Sequence, residues 1–238
     1  MKEFLRRIPG LVPAYRHAHF LYKVACDRWW NDCERMNDHS HLVREWDFEA
    51  PAVQERNARI FRALARHCPM PKEIHALELG CGDGVFTREL AQRCASLTAC
   101  DISSVACAHA AERCAEFPNV RIRKLDLEND PLPGQYDWVF AMDILEFVHG
   151  RDRLAKVVAK LAGALQPDGL LTLSVCRLPE ELRNAWWTRL FPEGADVILK
   201  FMDGRSGLRM LHHELHPENG TQIPDYIDHV IALFNKQP

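Results

Sequence analysis

From Ile74 onward, short apolar runs alternate with stretches of helical period, and this alternation constrains the fold more than any other feature of the sequence. It is the pattern of βαβ units, in which each parallel strand needs a crossover helix to return the chain. Ile74 to Leu79, Leu97 to Cys100, Val120 to Leu125, Tyr136 to Met142 and Gly169 to Val175 are the predicted strands. Helices are expected from Gly84 to Cys94 and from Ser103 to Glu116, the second capped by Ser103 or Ser104. A third, Arg151 to Leu165, carries apolar residues at 154, 157, 158, 161 and 165, one buried stripe. Gln166-Pro-Asp-Gly169 then supplies turn chemistry before the fifth strand. Leu208 to Leu215 and His229 to Phe234 are strands with no full helix between them, which predicts an antiparallel pair at the sheet edge.

The segments that break this pattern are less determinate. Gln54 to His67 has the spacing of an amphipathic helix packed on the domain, and Pro179 to Leu190, with Trp186 and Trp187, is a further helix. Residues 1–52 are expected to form a helical extension or lid ahead of a domain at 53–238. The polar and aromatic stretch from Trp29 to His41 is either a lid over the domain's site or a cover for apolar surface. Leu5 to Arg16 and His19 to Lys23 mix basic and apolar residues, which leaves open a peripheral membrane contact, a core cover or an oligomer contact. The Trp pairs at 29–30 and 186–187 suit either an acceptor pocket or the core.

Composition excludes several classes. Thirty Lys and Arg against 33 Asp and Glu, well dispersed, give no electrostatic case for nucleic acid. No apolar stretch reaches the ~18 residues of a membrane span. Nine cysteines, odd in number and without a CxxC pair, are expected to be reduced thiols in a cytoplasm. The first residues lack the apolar run and cleavage site of a signal peptide.

Glu78-Leu-Gly80-Cys-Gly82-Asp-Gly84 follows the first strand and opens a helix, the context of a nucleotide-type cofactor. A dinucleotide fingerprint requires Gly or Ala at the sixth place, where this chain has Val85. The spacing is GxGxG, with an acid two residues before it that suits an ammonium group better than a pyrophosphate. In these residues the sequence resembles the class I S-adenosylmethionine-dependent methyltransferases over about residues 53–236. The resemblance implies a Rossmann-like α/β fold with a seven-stranded, mostly parallel sheet and an antiparallel C-terminal hairpin. It implies S-adenosylmethionine as cofactor, with Glu78 by its methionine end and Gly80, Cys81, Gly82 and Gly84 passing close to it. It further implies Asp101 on the ribose hydroxyls, Ile102 and Leu127 against the adenine, Asp126 on the adenine amine and Met142 at the transfer site. Trp46 to Pro51, Gln54 to Arg59 and Val85-Phe-Thr87 are similar to the NodS-like group, which N-methylates an amino sugar of nodulation oligosaccharides.

Methyl transfer from a sulfonium is an in-line displacement, so the protein must align, exclude water and, for a hydroxyl acceptor, remove a proton. Asp143, Glu146 and His149 follow the fourth strand and are the candidate catalytic residues, with His39, His41 and His213 as contributors from flanking segments. Related O-methyltransferases carry Glu-His where this chain has Glu146-Phe147, and Cys33, His39 and His41 lack zinc-site spacing, so no metal is expected. Cys107 and Cys114 are expected in the core. The expected activity is methyl transfer to a small-molecule or glycosyl acceptor, at nitrogen more than oxygen. The alternatives are an O-methyltransferase with a His or Asp base, a nucleotide-sugar or NAD oxidoreductase, and a silent cofactor-binding partner subunit.

Overall fold

The computed structural model describes residues 18, 38, 47–67, 73–177, 194–217 and 228–237. The expected helix over 179–190, both Trp pairs, Cys33, His39, His41 and the basic and apolar stretches over 5–16 and 19–23 lie outside the described residues.

In chain order the elements are α1 (Pro51–His67), β1 (His75–Leu79), α2 (Val85–Ala91), β2 (Ser96–Asp101), α3 (Ser104–Arg113) and β3 (Val120–Lys124). There follow β4 (Tyr136–Met142), a 3-10 turn (Leu145–Phe147), α4 (Arg151–Gly163), β5 (Leu165–Arg177), α5 (Ala195–Met202), β6 (Leu208–Pro217) and β7 (Asp228–Lys236). The seven strands form one sheet in the order β3-β2-β1-β4-β5-β7-β6. β1 through β5 pair in parallel, and β7 runs antiparallel to both of its neighbours. The predicted terminal pair is thus present, but β7 takes an interior place and leaves β6 as the edge. That position explains their compositions: β7 is buried from His229 to Phe234, whereas β6 exposes Leu211 and Leu215 and carries His213 and Glu214.

Period-two alternation sorts the core into two layers. Leu77 and Leu79 of β1, Val139 and Ala141 of β4 and Leu171, Leu173 and Val175 of β5 meet α4 and α5 on one face. Ala76, Trp138, Phe140, Ile231 and Leu233 meet Ile60 and Leu64 of α1 and Phe86 and Leu90 of α2 on the other. The stripe predicted in α4 is buried as Leu154, Val157, Val158 and Leu161. Ser103 caps α3, its Oγ accepting from the Ala106 N–H at 3.0 Å.

Boundaries differ from the sequence expectation at one informative place. Helix α4 ends at Gly163, and the turn expected over 166–169 is a bulge inside β5. Tyr136 pairs with Leu165 but Trp138 with Leu170, and Asp168 takes a φ of 61° to absorb the extra residues. Among the described residues no helix is long and apolar enough to cross a membrane.

Candidate functional site

In a doubly wound sheet the crevice lies beyond the carboxyl ends of the central strands, where connections leave to opposite faces. Here that place is the end of β1 with β2 on one side and β4 on the other. The loop after β1 is held by the neighbouring strand: the N–H groups of Gly80 and Cys81 both donate to the Cys100 carbonyl, at 2.9 and 3.0 Å. Gly82 N–H donates to Asp101 Oδ2 at 3.0 Å, and Ser103 N–H donates to Asp101 Oδ1 at 2.9 Å. Asp101 therefore shapes the loop through both of its carboxylate oxygens.

The glycines are needed for packing as well as for backbone direction. Gly80 has a φ of +80°, and a Cβ there would stand 2.6 Å from the Met142 carbonyl oxygen and against the Ile144 side chain. At Gly82 a Cβ would meet the Phe48 ring at 2.8 Å, and at Gly84 the Ala110 backbone of α3 at 2.8 Å. Gly84 is thus the seat of α3, a helix-packing role.

Alternation puts Glu78 on the α1/α2 face beside Ala76, and its side chain is fully buried. Neither carboxylate oxygen has a hydrogen-bond partner of ordinary geometry among the described residues, nor does the buried Thr87 hydroxyl close by. Burial pushes the Glu78 carboxyl up to about 8, against a smaller lowering by Thr87. An unpaired buried carboxylate is costly by itself and is suited to receiving a cation. That feature, with the glycine loop, fits the residues to a cofactor that ends in an ammonium group.

The other predicted cofactor residues are more ordinary. Asp126 spends its oxygens on its own turn, accepting from the Glu128 and Asn129 N–H groups at 2.9 and 3.3 Å and from Asn129 Nδ2 at 2.7 Å. Ile102 is half-buried, Leu127 packs against the core, and Met142 and Cys81 are buried. The Cys81 thiol is pushed well up by its hydrogen bond with Cys107 and by burial.

Past β4, Asp143 and Glu146 enter a polar cluster that four elements build together. Arg56 of α1 donates from Nη1 to Asp143 Oδ2 at 2.7 Å, and Ser174 of β5 donates from Oγ to Asp143 Oδ1 at 2.6 Å. Cys176 of β5 and His229 of β7 are direct partners in the sheet register, so their side chains share a face. Cys176 Sγ lies 3.1 Å from His229 Nε2, and Asp143 Oδ1 lies 3.5 Å from that same nitrogen. Although burial alone would raise it, the Arg56 guanidinium, with His229 and Ser174, holds the Asp143 carboxyl below the usual range. Glu146 is pushed up to about 7, chiefly by burial and then by the Asp143 charge, and its Oε2 has no partner among the described residues. His149 is buried at the end of the same segment. His213, on β6, is exposed and lies outside the cluster.

Sequence reasoning singled out Asp143, Glu146 and His149 but missed Arg56, Ser174, Cys176 and His229. Strand parity was the available signal: Ser174, Cys176 and His229 are, like Thr172, polar or sulfur-bearing positions on largely apolar strands, in phase with the α1 face. The expectation of no metal rested on Phe147 and on the spacing of Cys33, His39 and His41; β5, β7 and the end of β4 assemble a different donor group, Asp143, Cys176 and His229, whose ligand atoms lie within 4.8 Å of one another.

A Rossmann-like sheet with β7 inserted antiparallel, a GxGxG loop and an acid ending β2 defines a nucleotide-cofactor protein of the methyltransferase type. Comparison with known proteins agrees: residues 76–169 match the family model described as "Methyltransferase domain". Nodulation protein S of Sinorhizobium fredii is 28% identical over 134 residues, covering 55% of this chain and 61% of that protein. The mitochondrial ubiquinone biosynthesis O-methyltransferase of Schizosaccharomyces pombe is 30% identical over 190 residues, covering 72% of this chain and 66% of the relative. Among solved structures, the N-methyltransferase NodS of Bradyrhizobium japonicum WM9 in complex with S-adenosylhomocysteine superposes with a TM-score of 0.69 at 18% identity, covering 85% of this chain and 99% of that one. The chain carries a methyltransferase domain, and the comparisons support a class I S-adenosylmethionine-dependent methyltransferase, with S-adenosylmethionine as cofactor, that resembles the NodS group. The matched region spans less than two thirds of the length of both the Sinorhizobium and the Schizosaccharomyces protein.

Proposed function

We propose that this protein transfers a methyl group from S-adenosylmethionine to a small-molecule or glycosyl acceptor, at nitrogen in preference to oxygen. The observation that carries the reading is the shared wall at Gly80. Its backbone packs on the Met142 carbonyl and Ile144, so the glycine loop and the turn bearing Asp143 and Glu146 border one crevice. The cofactor supplies the electrophilic methyl; the chain's residues bind, orient and manage a proton. Glu78 receives the ammonium of the methionine end, Asp101 the ribose hydroxyls and Asp126 the adenine amine, with Ile102, Leu127 and Met142 packing alongside. Asp143, kept ionised by Arg56, orients the acceptor. Glu146, near 7, takes the proton that an ammonium acceptor must lose before it can attack, and His149 is the second candidate for that role.

An amine needs no stronger base than this, and the NodS relatives support nitrogen. The ubiquinone O-methyltransferase relatives favour the second reading, an oxygen acceptor with Glu146 as base. Residues 1–52 serve as a lid: Phe48 covers Gly82, and Asp38 accepts from Ser103 Oγ at 2.5 Å, two residues from Asp101. The six described cysteines are free thiols, which supports a reducing, cytoplasmic setting. Calorimetric titration with S-adenosylmethionine, S-adenosylhomocysteine and NAD in parallel, followed by transfer of labelled methyl to amines, amino sugars and phenols, tests the proposal. Binding of the two sulfur compounds with labelled amine product is expected. Binding without turnover on any acceptor would favour the silent partner subunit, and binding of NAD alone would overturn the reading.

A further inference from the structure

We propose that Asp143, Cys176 and His229 bind a divalent cation of the zinc class, leaving an open coordination position beside Glu146. The first ground is convergence. Cys176 Sγ and Asp143 Oδ1 both approach His229 Nε2, at 3.1 and 3.5 Å. A Cys-His-Asp nucleophile relay needs the acid on one ring nitrogen and the thiol on the other. One nitrogen facing both groups instead makes three donor atoms that surround a point. Zn–S near 2.3 Å and Zn–N near 2.0 Å put tetrahedral ligand atoms about 3.5 Å apart; the two separations to Nε2 are 3.1 and 3.5 Å, and all three donor atoms lie within 4.8 Å of one another.

The second ground is charge. A divalent ion held by one carboxylate and one thiolate is neutral once the thiol proton has left, and the charges of Arg56 and an ionised Glu146 cancel, so the loaded cluster carries no net charge. Thiolate, imidazole and carboxylate together select zinc-class ions over magnesium or calcium. The third ground is Glu146 itself, 5% exposed, with Oε2 unpartnered among the described residues and its carboxyl beside Cys176. Three protein ligands, an open position and an adjacent carboxylate form the arrangement of catalytic zinc sites. Methyl transfer by alignment alone calls for no buried thiol here. The donors come from β5, β7 and the end of β4, so they differ from the adjacent Glu-His pair that Phe147 removes.

Cobalt(II) is the probe. The full chain, freed of metal with a chelator, should bind one equivalent and develop an intense thiolate-to-cobalt band in the near ultraviolet with visible bands of a four-coordinate ion, both bleached by zinc. Cys176→Ser should abolish the near-ultraviolet band, and His229→Gln should keep it while weakening binding by about tenfold or more. Circular dichroism and thermal melting of each variant show whether it folds; if Cys176→Ser does not, His229→Gln alone carries the test. No band in the wild-type protein, a band that survives Cys176→Ser, or unchanged affinity in His229→Gln would overturn the site. The inference does not rest on methyl transfer: S-adenosylhomocysteine binding measured on the same samples separates failure of the metal site from failure of the proposed activity.

Discussion

Glu78 places a testable pH dependence in a single side chain. Its folded-state value of about 8 lies above the ordinary 4.5, so the folded protein prefers the protonated form. The cost is absent below the ordinary value and grows as pH rises from about 4.5 to 8, reaching about 5 kcal/mol. Glu78→Gln should melt like the wild type at pH 5 and hotter than it at pH 9, while binding S-adenosylmethionine more weakly. A variant that loses stability with pH as the wild type does would show that Glu78 is not the source. Gly80→Ala should cost more than Gly150→Ala in denaturant titrations. Both have positive φ, but a Cβ at Gly150 meets nothing within 4 Å, leaving backbone strain of about 1–3 kcal/mol. At Gly80 the clash with the Met142 carbonyl adds about 1–3 kcal/mol more. The glycine motif was legible because its residues lie within seven positions of one another. The Arg56–Asp143–Cys176–His229 cluster was not, since its members stand 87 and 53 residues apart along the chain and meet only through strand register.

Among the elements, α3 begins just past Asp101, the acid proposed to hold the ribose, so its cap should link stability to cofactor binding. Ser103→Ala should destabilise the protein by about 0.5–2 kcal/mol in chemical denaturation, and it should also weaken S-adenosylhomocysteine, because the lost cap loosens the turn whose retained backbone N–H at 103 holds Asp101. Phe48→Ala tests the lid: calorimetry should show a several-fold loss of cofactor affinity with melting temperature nearly unchanged. Equal affinity would make Phe48 mere cover. The strands and helices were legible wherever period two or 3.6 held over a whole element, as in β4 and α4. The bulge in β5 was not, because Gln166-Pro-Asp-Gly169 has turn chemistry that suits a loop between elements and a bulge within one equally well. The place of β7 inside the sheet was not set by local pattern either; only its continuous burial hints at it.

For the molecule as a whole, a ligand that binds only the folded state must raise stability. S-adenosylhomocysteine at about a hundred times its Kd should add about 2.7 kcal/mol, or about 5–10 °C in melting temperature for a domain of this size. No shift at saturating concentration would count against the cofactor site. The fold class and cofactor were legible because they follow from element order and one loop, whereas acceptor chemistry depends on side chains gathered from α1, β4, β5 and β7. The inserted strand also orders events during synthesis. Until the ribosome has extended the nascent chain through β7, β5 and β6 each present an unpaired edge, and Cys176 has no histidine opposite it. The glycine loop and the β1–β4 scaffold lie earlier in the chain, so the cofactor crevice is synthesised before the strands that carry Cys176 and His229. A prematurely terminated chain would present a cofactor crevice without His229.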